Sequence, residues 1–248
     1  MSFKTKLIGS CNHIQHFDLR EHKGRSFVST DLHGHYHLLH DKLKEVAFDS
    51  SKDLLFLAGD HTDRHADSKY VLDYLCEPWV FAIRGNHCEM LINAYENPNS
   101  RNAFEMLYCN GGQWYYDITP SEQKAIYEVF KSLPLAFEIQ TNHGTIGIVH
   151  AQVPFDDWNQ FKSCTKAEME WNVQAISQWA RTKYDKKDTS VVKGIDVAIS
   201  GHTPTDSGEL EQLGNQLFCD LGSFFREKIS FVEIDSQLIR DIKENKYG

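Results

Sequence analysis

Short apolar runs alternate with amphipathic stretches over the first part of the chain. Phe27 to Thr30 predicts a buried strand that ends at Asp31. Leu38, Leu39, Leu43, Val46 and Ala47 recur at helical spacing, so a helix is expected over Leu38 to Ala47. Asp53 to Ala58 is a continuous apolar strand running into Gly59-Asp60, and Tyr70 to Leu75 suits a helix. Trp79 to Ile83 predicts a third strand, ending at Arg84-Gly85-Asn86. Strand, helix, strand, helix, strand argues for a parallel sheet in an α/β fold. Met90 to Leu133 is mostly helical by pattern, with a break at Gly111-Gly112. Strands resume at Leu135 to Gln140 and Thr145 to Val149, joined by a turn at Asn142-His143-Gly144. Met169 to Ala180 predicts another helix, and Asp196 to Ser200, Gln216 to Cys219 and Ile229 to Ile234 close the chain as strands.

The polar residues fall in register with this pattern. Asp31, Asp60, Asn86, His150 and His202 each follow the carboxyl end of a predicted strand. Ligand sites of open α/β sheets lie at those ends. Any one of these residues, alone, would read as ordinary strand-to-loop punctuation. Five metal-binding types at five strand ends make a constellation.

Its chemistry follows from the residue types. Asp31-Leu32-His33 sets a carboxylate and an imidazole two positions apart. Asp60 adds a second carboxylate, Asn86 a carbonyl oxygen, and His150 and His202 nitrogens. Mixed oxygen and nitrogen donors suit Mn²⁺, Fe²⁺ or Zn²⁺ better than Ca²⁺. A carboxylate bridging two such ions would hold them roughly 3.5–4 Å apart, and Asp60 is the candidate bridge. A cation lowers the pKa of its bound water, so hydroxide becomes available as a nucleophile near neutral pH. Arg64 and Arg84 offer planar donors for phosphate. His87 can protonate a departing oxygen as general acid, with Asp63 orienting it.

Other histidines carry less. His35, His37 and His40 lie in a forming helix and are expected at the surface or core edge, His35 with a minor chance of touching substrate. His13, His16 and His22 receive no role. Trp114-Tyr115-Tyr116 is expected to pack in the core more than to line a groove.

Composition narrows the classes. The chain has 248 residues, 41% of them hydrophobic and 25% charged, which fits one large α/β domain over 1–248, its motif-bearing core at roughly 27–234. A formal net charge of −9 gives no support to nucleic-acid binding. The basic tract Arg181 to Lys187 reads as a solvated loop or helix end. No apolar run, including Met1 to Ser10, approaches the roughly 18 residues of a membrane helix. The six cysteines are scattered without a C-x-x-C pair, so reduced thiols in the cytoplasm are expected.

The quoted segments also carry a resemblance. Asp31-Leu32-His33-Gly34, Gly59-Asp60-His61-Thr62-Asp63-Arg64, Arg84-Gly85-Asn86-His87, His150-Ala151 and Gly201-His202-Thr203-Pro204 resemble the calcineurin-like metallophosphoesterases. Within them they are similar to the bacterial and phage serine/threonine protein phosphatases of the bacteriophage lambda type. Asn110 to Trp114, Leu133-Pro134-Leu135 and Glu170-Trp171-Asn172 are similar to that subgroup too. The resemblance implies a central β-sandwich of two mixed sheets flanked by helices, and two divalent ions, Mn²⁺ foremost with Fe or Zn as alternatives. Asp31 and His33 would bind the first ion and Asp60 would bridge. Asn86, His150 and His202 would bind the second, while His87 with Asp63 would form the acid pair. Arg64 and Arg84 would face the phosphate.

The implied substrate is a phosphorylated protein or peptide bearing phosphoserine or phosphothreonine, with phosphotyrosine also open. The alternatives are a small phosphoester, as for a symmetrical dinucleoside tetraphosphatase or a cyclic-nucleotide phosphodiesterase, and a catalytically weak phosphate-binding regulator. Oligomeric state and regulatory partners are left open. The chain departs from the family pattern at five places: Thr30 and His65 replace glycines, Cys88 replaces Glu, Gln152 replaces Asp, and Val173 replaces a phosphate-gripping Arg. Weaker phosphate binding is expected from the last, unless Arg181 or Arg226 fills the role.

Overall fold

The computed structural model describes residues 6–11 and 13–248, without the side chains of 6–11, Glu170 and Trp171. Cys11, most of the stretch Met1 to Ser10 and the Glu170-Trp171 part of the resemblance therefore lie wholly or partly outside the described residues. Among the described residues the strands are β1 (Lys6–Cys11), β2 (Ile14–Asp18), β3 (Ser26–Ser29), β4 (Leu54–Leu57), β5 (Val80–Ala82) and β6 (Ala136–Gln140). They continue with β7 (Thr145–Val149), β8 (Val197–Ser200), β9 (Glu211–Leu213), β10 (Gln216–Phe218) and β11 (Val232–Glu233). One sheet runs β1-β2-β6-β7-β8-β10-β9 and the other β11-β3-β4-β5. Both are mixed. β3, β4 and β5 are parallel, as their alternation with helices predicts, and so are β7, β8 and β10. β6 with β7 and β11 with β3 are antiparallel.

Alternation along the strands explains the two-layer packing. Leu54 and Phe56 of β4 enter a core shared with Phe17, Phe137, Ile148 and Ile199 of the larger sheet. Leu55 and Leu57 point the other way, beneath Leu39 of the helix Tyr36–Glu45, Leu91 of Asn86–Glu96 and Phe130 of Pro120–Ser132. On the far side of the larger sheet, Ala136, Val149 and Ala198 pack with Trp158 and Phe161. With both faces covered, strands such as β4 read as unbroken apolar runs rather than as alternations. Phe17, Phe56 and Phe137 meet edge-on between the sheets at centroid distances of 5.1, 5.2 and 5.6 Å.

Several expectations are corrected. The pattern does not predict β1, β2 or the three-residue β9. The last strand is only Val232–Glu233 and is followed by a helix, Ser236–Lys243, that buries Leu238, Ile239 and Ile242 in the intersheet core. The expected helix Met169 to Ala180 is a π-helical turn, Met169–Val173, leading into the α-helix Gln174–Trp179. The basic tract is not simply solvated. Lys183 is buried, with Nζ donating to Asp156 Oδ1 at 2.9 Å and Ser190 O at 2.7 Å. Cys76, Cys88, Cys109, Cys164 and Cys219 are free. Among the described residues no helix is long and apolar enough to cross a membrane.

Candidate metal centre and acid pair

The carboxyl ends of β3, β4, β5, β7 and β8 deliver Asp31, Asp60, Asn86, His150 and His202 to one place, where all five are buried. The turns that do so are strained. Asp31, His33, Asp60, Asp63, Arg64 and His202 all have φ between 45° and 77°, where side chains other than glycine rarely sit. Such outliers cluster where function holds them. Glycines permit the close approach: a Cβ at Gly59 (φ 98°) would lie 2.4 Å from His150 Nδ1, and one at Gly201 would lie 1.9 Å from Asp31 Oδ2. Gly201 also makes room for Thr30, whose hydroxyl donates to Asp31.

The histidines are pinned in a common way. Nδ1 of His33 donates to Thr62 O at 3.0 Å, Nδ1 of His150 to Ala58 O at 2.8 Å, and Nε2 of His202 to Trp179 O at 3.1 Å. A carbonyl only accepts, so each ring must carry a proton there, and its other nitrogen, a lone pair whenever the ring is neutral, turns inward. His33 Nε2 faces Asp60 Oδ2 at 3.7 Å, and His150 Nε2 faces Asp60 Oδ1 at 3.3 Å. Asn86 Oδ1 lies 2.8 Å from His150 Nε2 and 3.1 Å from His202 Nδ1. With the rings neutral, these nitrogens and the carboxylate and amide oxygens converge as the donor set a cation requires. Without a cation, turning the Asn86 amide over lets its NH₂ face both histidines and both Asp60 oxygens. Asp60 belongs to two groups close enough to hold an ion, one with His33 and His87 and one with His150 and His202. These residues fit two divalent ions sharing one carboxylate.

The electrostatics of the bare protein agree. Burial opposes charge on Asp60, but His150, His87 and His33 outweigh it and hold its pKa well below the usual range. Burial likewise opposes charge on His150, and Asp60 overrides it, raising the imidazole to about 9. Burial and the neighbouring His150 push His202 down to about 3. Asp31 is raised by burial and by Asp220.

His87 differs from the pinned set. Its Nδ1 donates to a carboxylate, Asp63 Oδ2, at 2.6 Å, and its Nε2 lies 3.7 Å from Asp60 Oδ2. The other oxygen of Asp63 accepts from Trp114 Nε1 at 2.7 Å, and its backbone N–H donates to Ser68 Oγ at 2.8 Å. Trp114 packs in the core as expected, and its indole N–H also holds Asp63. Arg64 reaches His87 Nε2 at 3.3 Å, and its guanidinium lies 4.1 Å from the ring centre of Phe224. Arg84 is held away from this group. Its guanidinium donates to Glu89 Oε2 at 3.2 Å and to the carbonyls of Lys131 and Leu133 at 3.1 and 3.2 Å.

Sequence reasoning missed Asp220. It is buried two residues past β10, its pKa is raised to about 6 chiefly by burial, and its charge acts on Asp31. The strand-end rule, applied to Gln216–Cys219 as to the others, would have found it.

Comparison with known proteins agrees with this arrangement. The family model described as calcineurin-like phosphoesterase matches residues 25–230. The chain belongs to that family. It is therefore a metal-dependent phosphoesterase, a hydrolase acting on phosphorylated substrates. Serine/threonine-protein phosphatase 2 of Escherichia coli (strain K12) is 30% identical over 216 residues, 86% of this chain and 94% of that protein. Serine/threonine-protein phosphatase 1 of Salmonella typhimurium is 28% identical over 84% of this chain and 91% of its own. Among solved structures, the cold-active protein-tyrosine phosphatase of a psychrophilic Shewanella superposes with a TM-score of 0.53. It is 16% identical and covers 85% of this chain and 76% of its own, so the likeness is one of fold.

The departures from the calcineurin-like pattern now have physical content. Cys88 is buried among apolar side chains, and burial raises its thiol pKa, which leaves it unreactive. Gln152 Oε1 accepts from the Lys183 N–H at 3.0 Å. Val173 packs with Trp158, Phe161 and Met169, not beside the metal centre. Arg226 donates to the carbonyls of Thr205 and Leu221. Arg181 is exposed, and its charge acts on His202. Val173→Arg should therefore bury an unpaired charge and cost about 3–5 kcal/mol in urea unfolding without improving KM. Arg181→Ala should instead raise KM for phosphomonoesters and weaken inhibition by inorganic phosphate. A lower KM in Val173→Arg would reverse this assignment.

Proposed function

We propose that the protein removes phosphate from phosphoserine and phosphothreonine in proteins or peptides, with phosphotyrosine a further candidate, using two ions of which Mn²⁺ is the first choice. The observation that carries it is Asp60 common to two groups, one with His33 and His87 and one with His150 and His202, with His87 held by Asp63. Asp31 and His33 would hold one ion, Asn86, His150 and His202 the other, and Asp60 both. When bound, the ions supply a water acidic enough to lose its proton near neutral pH and positive charge opposite the phosphate. Arg64 gives up its contact with His87 Nε2 to bind the phosphate oxygens, and His87, once protonated there, gives that proton to the leaving oxygen while Asp63 keeps the ring oriented. Arg84 needs to exchange its present carbonyl partners to join Arg64. A protein substrate is favoured by the names of the two relatives above, and by Phe224, 41% exposed beside Arg64, with Phe225, 51% exposed, against it. The scattered cysteines support a cytoplasmic location.

A phosphopeptide panel run against diadenosine tetraphosphate tests the substrate class. Phosphoserine or phosphothreonine peptides should be turned over with the higher kcat/KM. Preference for the dinucleotide would overturn the protein-phosphatase assignment. A chelator should abolish turnover of either substrate, and Mn²⁺ should restore it.

A further inference from the structure

A second group of histidines lies outside the metal centre. His37 lies in the first turn of the helix Tyr36–Glu45, and His65 and Asp67 open the short 3₁₀ turn Ala66–Tyr70. The rings of His35, His37 and His65 lie tilted against one another, with centroids 4.5 Å (His35 to His65), 5.7 Å (His37 to His65) and 5.9 Å (His35 to His37) apart. One ligand atom each from His37, His65 and Asp67 lies within 4.8 Å of the other two. His35 is buried with its Nδ1 donating to the Leu32 and His33 carbonyls, whereas His37 is exposed and His65 and Asp67 are half-buried.

We propose that His37, His65 and Asp67 hold a third divalent ion, a borderline transition metal of the Zn²⁺ class, that clips the start of the helix to the loop 63–68. Two imidazoles and a carboxylate are the donor types that select such ions over Ca²⁺ or Mg²⁺. Tetrahedral ligands at about 2.0–2.1 Å from Zn²⁺ stand about 3.4 Å apart. Partly exposed side chains close the remaining distance by rotamer adjustment, and water completes the sphere. His40 lines the same cavity of about 470 Å³ as His37 and Asp67, and can supply a fourth nitrogen.

The clip acts on the loop that matters. Arg64 precedes His65 directly, and Ser68 Oγ, one residue past Asp67, accepts the Asp63 N–H. Tying His65 and Asp67 to the helix restrains both neighbours of the acid pair. The competing role for His65 is local: its Nδ1 accepts the Asp67 N–H at 3.2 Å and so caps the 3₁₀ turn.

Equilibrium dialysis of the full chain against Zn²⁺ separates the two. Wild-type protein should retain one equivalent more than His37→Ala, and Asp67→Asn should lose the same equivalent. Zn²⁺ should also raise the melting temperature of the wild type more than that of either variant. Should His37→Ala fail to fold, Asp67→Asn alone decides. Equal Zn²⁺ content in wild type and folded variants would overturn the proposal, as would a His65→Ala protein that melts lower but keeps every equivalent.

Discussion

On a phosphoserine peptide, His87→Asn is expected to lower kcat by roughly 10²–10⁴-fold. The geometry gives the reason. His87 is buried with Nδ1 committed to Asp63, so its Nε2 is the one titratable nitrogen it can turn toward a leaving oxygen. A serine alkoxide is a poor leaving group and needs that proton as the bond breaks. p-Nitrophenolate leaves readily as an anion, so the same variant should lose much less on p-nitrophenyl phosphate. Steady-state kinetics on both esters, each saturated with Mn²⁺, make the comparison. Equal losses on the two substrates would mean that His87 holds the site together rather than donating a proton.

The candidate metal centre was legible because the residues proposed to form it obey a rule visible in one dimension. Asp31, Asp60, Asn86, His150 and His202 end strands whose apolar runs are plain, and parallel strands bring their carboxyl ends together. Asp220 obeys the same rule and lay in view, but it belongs to none of the motif segments. What the chain order conceals is contact across distance. Trp114 holds Asp63 from 51 positions away, and no periodicity marks that bond. Arg84 is captured by the carbonyls of Lys131 and Leu133, partners that every residue owns and no pattern reveals. The surroundings of Val173 were hidden for a related reason: standing where relatives carry a phosphate-binding Arg says nothing about which way a π-helical turn aims the side chain. The strained φ values at Asp60 and Asp63 are equally silent in sequence, since neither residue is glycine.

Asp60→Asn tests the centre itself, and its effect should exceed that of His87→Asn. One Asp60 oxygen faces His150 at 3.3 Å, and the other faces both His33 and His87 at 3.7 Å, so this carboxylate stands between the two donor groups. The amide that replaces it has the same shape but only one good acceptor and no charge. Metal-ion catalysis is worth several kcal/mol, so activity should fall by at least about 10³-fold on peptide and on p-nitrophenyl phosphate alike. That uniformity separates it from the loss in His87→Asn, which depends on the leaving group. Metal content gives a readout independent of turnover: Mn²⁺ bound per chain should drop. The rise in melting temperature that Mn²⁺ gives the wild type should shrink with it, because an ion stabilises the fold only as far as it binds the folded state. Asp60 also compensates the buried His150 imidazolium when no ion is present. The variant should therefore be less stable than wild type even in chelator, by roughly 1–3 kcal/mol for the lost charged hydrogen-bond partner. Full Mn²⁺ content with activity lost would leave Asp60 a role in the reaction but take the bridge away from it.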